Sequence, residues 1–118
     1  MFKKLWRKLT TPKLTAKKAL KILAPIPEEK WTTHTLEDQQ FRMCALGHLN
    51  THFGGNSHAN VVTVDEFNDH VLEFMQMEHE KYANIADVND SDTINGYTED
   101  HPKKRVIHLL TDMQKAGF

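Results

Sequence analysis

One cysteine, Cys44, stands in 118 residues, so no intrachain disulfide framework can form. Glycine (5) and proline (4) are too scarce for a collagen, and hydrophobic content (39%) is too high for a disordered tail. There is no sustained heptad pattern and hence no coiled-coil rod or assignable dimer seam. No window approaches the ~20 apolar residues that a membrane span needs. No apolar run of about 7–15 residues follows the basic start, so a secretory signal is not expected. Walker, GxGxxG, GxSxG and HExxH motifs are all missing, as is any recognisable pair of catalytic carboxylates. The most informative absence is of negative charge: the first acid is Glu28.

What is present before Glu28 is eight basic residues, Lys3, Lys4, Arg7, Lys8, Lys13, Lys17, Lys18 and Lys21. The remaining seven basic residues face all 16 acids, leaving −9 on residues 28–118 and −1 overall. Such asymmetry between segments marks a surface-binding tail. Phe2, Leu5, Trp6 and Leu9 recur at helical spacing, with Lys3, Lys4, Arg7 and Lys8 filling the other face. Residues 1–13 therefore read as a basic amphipathic arm. It can pack on the acidic body, approach nucleic-acid phosphates, or lie on an anionic membrane with Trp6 at the interface.

Residues 14–118 read as one all-α domain, a compact bundle of about four helices. Pro12 separates the arm from a helix that Thr15 caps, running from Ala16 to about Ala24 and stopped by Pro25 and Pro27. Trp31 anchors a linker over the core. Thr35 and Asp38 resemble a capping box, opening a helix from Leu36 to about Phe53 that Gly54-Gly55 ends. That helix places Phe41, Cys44, His48 and His52 along its faces, with Cys44 in mid-helix. Val61–Val64 reads as extended chain leading to Asp65 as the cap of a helix from Glu66 to about Ala86, with Tyr82 on its apolar stripe. Asp87–Asp100 reads as loop. Pro102 suits the first position of a last helix, capped by Asp100 or His101 and running to about Lys115.

Eight histidines invite a metal. Cys44, His48 and His52 are spaced by one helical turn, but the successive drift of about 40° keeps all three from closing on one zinc ion. His58 or His79 would have to complete a set. No metal and no cofactor are expected. Cys44 as a nucleophile needs a base and an orienting group, for which a histidine and Asn89 or Asp90 are the candidates. In mid-helix it would lack the field that lowers a thiol's pKa. Asp87, Asn89 and Ser91 match the first positions of a calcium loop, but Asp92 and Thr98 stand where Gly and Glu are required. Lys103, Lys104 and Arg105 open a helix, where basic charge opposes the dipole. That placement points to an anionic partner or an acidic neighbour.

Arg42-Met43-Cys44-Ala45-Leu46-Gly47 resembles the Cys-Ala-Leu-Gly helix of a family of small bacterial and phage helical proteins without assigned activity. Trp31, Asn89-Asp90, Thr98 and the final amphipathic helix match the family's other features, over residues 15–115. The resemblance implies a compact helical domain and a phage accessory or host-takeover setting in the cytoplasm. It supplies no activity. Gly47 costs ~1 kcal/mol relative to Ala inside a helix, which implies close approach of another segment. The expectation is that Cys44 and Gly47 face Asn89-Asp90.

The first expectation is a non-enzymatic protein that binds a host protein or a small anionic ligand. Arg42, Asn89, Asp90, Thr98, Lys103, Lys104 and Arg105 are its candidate contacts. The alternatives are a small Cys/His hydrolase or metal-dependent enzyme, and a nucleotide-binding or nucleotide-sequestering domain.

Overall fold

The computed structural model describes residues 13–118, and the amphipathic reading of the arm falls on residues outside them. Five α-helices and one 3₁₀ turn (Glu28–Lys30) make up the regular structure among the described residues, with no sheet. The helices are α1 (Ala16–Leu23), α2 (Ala45–Gly54), α3 (Val62–His79), α4 (Ile85–Asp90) and α5 (Pro102–Lys115). The chain is thus an all-α bundle. Its main seam is α1 on α5, and α4 also packs on α5, while α2 lies against α1 and α4.

The short helices are held by side-chain caps. Thr15 accepts from the Lys18 N–H (3.2 Å) to start α1, as its sequence suggests. His101 Nδ1 accepts from the Lys103 N–H (3.1 Å) and Pro102 follows at the first position of α5. The buried side of α1 is Ala16, Ala19 and Leu23, and that of α5 is Val106, Leu109, Leu110 and Met113. Trp31 is 3% exposed and donates to the Ile26 carbonyl (3.3 Å), so it does anchor the linker.

Three elements differ from their sequence reading. The helix expected from Leu36 begins at Ala45, because Asp38 takes the Gln40 and Arg42 N–H groups (both 2.9 Å) that a helix would need. Cys44 is therefore a helix N-cap rather than a mid-helix residue. The helix expected from Glu66 starts at Val62, which puts Asp65 in its first turn instead of at its cap. It ends at His79, where Glu80 turns left-handed (φ 52°), and Tyr82 is 80% exposed rather than on a core stripe. Part of the expected loop is the helix α4, closed by a reciprocal capping box of Asn84 and Asp87 (2.9 and 3.0 Å). The calcium-loop geometry is consequently not formed, since Asp87 and Asn89 are helical.

Gly47 does meet a close neighbour, but a different one from Asn89-Asp90. A Cβ there would collide with the Leu36 carbonyl oxygen. Cys44 does lie beside Asn89-Asp90, since the next N–H, that of Ala45, bonds Asn89 Oδ1 (3.0 Å).

Candidate functional site

Thirteen residues, 32–44, leave the 3₁₀ turn and return to α2 without forming a helix. Their path is set at both ends by two neighbouring side chains of α4. Asn89 is fully buried. Its Oδ1 caps the exposed start of α2 at Ala45, while its Nδ2 donates to the Thr32 carbonyl (3.0 Å) and to Asp90 Oδ1 (2.8 Å). Asp90 Oδ1 also accepts the His34 N–H (2.9 Å). His34 is held in the left-handed region (φ 65°). Between these anchors Thr32 N–H donates to Met43 O (3.0 Å) and Met43 N–H to Lys30 O (2.9 Å), so the two limbs of the excursion are paired. Ser57 braces its side by donating to Glu37 Oε1 (2.6 Å).

The tip is built around Asp38. Its Oδ1 accepts from the Gln40 and Arg42 N–H groups, and its Oδ2 from the Arg42 guanidinium Nε (2.7 Å). The Asp38 N–H reaches the Arg42 carbonyl (2.9 Å) and the Phe41 N–H the Asp38 carbonyl (3.1 Å). Desolvation pushes the Asp38 carboxyl upward, but the N–H groups of Arg42 and Gln40 and the guanidinium charge more than reverse it. The carboxyl lies below its ordinary range. The product of this wiring is Phe41, left-handed (φ 63°) and 75% exposed. A bulky residue at positive φ is a genuine outlier, costing about 1 kcal/mol or more. Burial of its ring does not offset that cost in the isolated chain. Strain kept at an exposed aromatic is a pointer to function.

The other candidates divide among separate places. Arg42 belongs to this tip. Asn89 and Asp90 are its foundation. Arg105 is 4% exposed and its guanidinium donates to the backbone carbonyls of Val88 (3.0 Å), Glu99 (2.7 Å) and Asn89, capping the C-terminal end of α4. Lys104 pairs with Asp100 (3.5 Å), an acidic neighbour, one of the two readings of the basic run at this helix start. Lys103 and Lys104 border a cavity of about 420 Å³ with Glu28, Glu99, Ile107 and His108. Thr98 is exposed.

Cys44, His48 and His52 do not converge. Cys44 is 4% exposed, and burial pushes its thiol up even though the Gly47 and Leu46 N–H groups of the new helix pull it down. His48 Nε2 donates to the Lys30 carbonyl (3.0 Å) with its ring against Trp31, and burial holds its imidazole below the ordinary value. His52 is exposed and meets Phe53 edge-on. Among the described residues no three His, Cys, Asp or Glu side chains are grouped to hold a metal.

A buried polar chain escaped the sequence reading. Tyr97, fully buried in the segment read as loop, donates its hydroxyl to Asp112 Oδ2 (2.9 Å) and receives His79 Nε2 (3.0 Å). His108 stands 3.5 Å from the same Asp112 oxygen and 2.7 Å from Glu99 Oε2. Burial, then the Asp112 hydrogen bond and charge, drive the Tyr97 hydroxyl far above its usual value, so it stays a donor. Because its proton goes to Asp112, His79 Nε2 must carry the proton between them. The His79 ring also packs against Gly96, whose backbone is left-handed (φ 98°), and no spacing in the sequence marks this polar chain. A further cavity of about 470 Å³ is lined by His34, Lys81, Tyr82, Asp87, Asp90, Ser91 and Thr93 among others.

Comparison with known proteins brings no match: no family model, no curated protein and no solved structure is similar to the chain.

Proposed function

We propose that the chain is a non-enzymatic binding protein that recognises another protein by inserting Phe41 into an apolar pocket of that partner. The observation that carries this reading is the exposed, left-handed Phe41 on a tip locked by Asp38. Interface anchors are buried aromatics, and a loop already fixed in its bound shape avoids the entropy of ordering on binding. Gln39, Gln40 and Arg42, next to Phe41 in the chain, carry polar groups suited to the rim of such an interface. The buried thiol of Cys44 and its high pKa favour binding over nucleophilic catalysis.

The test is affinity capture with the tagged full chain from extracts of the cells that make it. A partner should be retained by the wild-type protein and by Tyr82→Ser, an exposed aromatic elsewhere, and lost with Phe41→Gly. Retention by Phe41→Gly at wild-type level would remove the reading.

A second reading, a small-molecule or nucleotide binder, is favoured by the cavity that joins Tyr82 and Lys81 to His34, Asp87, Asp90, Ser91 and Thr93. Thermal shift against a nucleotide panel decides it. A ligand at 100 times its Kd adds about 2.7 kcal/mol, which is readily seen as a rise in Tm.

A further inference from the structure

The outer face of α1 is entirely lysine. Ala16, Ala19 and Leu23 are buried on one side. Lys17, Lys18 and Lys21 are exposed on the side opposite, and Lys13 is exposed just before the cap. At 3.6 residues per turn, Lys17 and Lys21 stand one above the other, about 6 Å apart along the axis, with Lys18 beside them. None of the four has a carboxylate within ion-pair distance among the described residues. The largest group of exposed acids, Asp65, Glu66, Asp69, Glu78 and Glu80, lies along or just after α3, and the exposed acids nearest in sequence to α1, Glu28 and Glu29, belong to the 3₁₀ turn after it and pair with none of the four lysines. The charge asymmetry of the sequence is therefore a feature of the folded surface and not of the arm alone.

From this we infer that the α1 lysine face docks the protein on an anionic lipid surface. Charge complementarity supplies the attraction, of order fivefold in affinity for each lysine close to such a surface. The chemistry of the face separates lipid from nucleic acid. It has no Arg fork, no aromatic ring to stack on a base and no Asn, Gln or Ser to read a base edge, only point charges on flexible stems. Among the described residues no helix is long and apolar enough to cross a membrane, so the association is with the surface. This docking is independent of Phe41, which belongs to a different segment.

The experiment is co-sedimentation of the full chain with phosphatidylcholine vesicles, with and without about one-third phosphatidylglycerol. The protein should sediment only with the anionic vesicles and be released as salt rises. The triple variant Lys17→Glu, Lys18→Glu, Lys21→Glu should bind at least about tenfold more weakly. The same positions changed to Gln, which preserves helix propensity, should show a smaller loss with an unchanged circular dichroism spectrum. Equal binding to neutral vesicles, no binding to anionic ones, wild-type affinity in the triple variants, or tighter binding to duplex DNA at the same salt would each overturn the inference.

Discussion

Arg105 shows how one side chain can decide between two roles that look alike in sequence. In the run Lys103-Lys104-Arg105 it is the third of three cations at a helix start, yet it alone turns inward to three carbonyls. Replacing it with Met leaves the carbonyls at the end of α4 without donors, and the expected loss is about 3 kcal/mol in urea denaturation. Arg105→Lys should recover only part, since an ammonium cannot reproduce the guanidinium fork. A loss below about 0.5 kcal/mol for Arg105→Met would mean that water replaces the guanidinium. His48 makes a pH-dependent contribution. Its pKa is lowered in the fold, so the unfolded chain takes up the proton first as pH falls. Stability is intact above about pH 6.5 and should decline as pH drops through that ordinary value toward the folded one. His48→Gln, which keeps a donor for the Lys30 carbonyl, should flatten the urea midpoint between pH 7.5 and 5.5. An unchanged slope would assign the acid sensitivity to other groups.

At the scale of elements, the excursion 32–44 exists because α4 holds it. Asn89→Ala should cost about 2–3 kcal/mol, since it strands the Ala45 N–H in the interior and leaves the half-buried Thr32 carbonyl without its donor. It should also raise hydrogen exchange through residues 32–45 more than elsewhere; uniform acceleration over the whole chain would contradict the anchoring role. Gly47→Ala would ordinarily strengthen a helix, but here the added methyl meets the Leu36 carbonyl, so destabilisation by about 1–3 kcal/mol is expected. Phe41→Gly should do the reverse of a typical deletion. It relieves a left-handed aromatic, and thermal denaturation should show a stability gain of up to about 1 kcal/mol, diminished by the freedom Gly adds to the unfolded chain. A more stable protein that has lost its partner is the signature of strain retained for binding.

At the scale of the molecule, Tyr97 joins the C-terminal end of α3 to α5, through His79 on one side and Asp112 on the other. Tyr97→Phe keeps the ring and removes the hydroxyl, and should cost about 1–2 kcal/mol in global stability. A nearly neutral change would mean that water takes the place of the hydroxyl. Net charge close to zero hides two surfaces of opposite sign, lysine on α1 and carboxylate along α3. Such a molecule presents orientation-dependent fields that its overall charge does not convey.

Local chemistry made part of this protein legible from its residues alone. The all-helical class, α1 with its Thr15 cap, α5 with Pro102 at its start, the anchoring of Trp31 and the charge asymmetry all rest on short-range spacing and capping, which the chain carries within a few residues. The excursion before α2 was hidden because Phe41, Cys44 and His48 keep helical spacing. Only the backbone bonds captured by Asp38, and the distant pull of Asn89 and Asp90, break the helix there. The same holds for Arg105, indistinguishable from its lysine neighbours until α4 offers it carbonyls, and for Tyr97, which is buried in what composition reads as loop. Periodicity reports which residues can share a face. Which polar group meets which partner across 44 or 56 positions of chain is decided only when the helices pack.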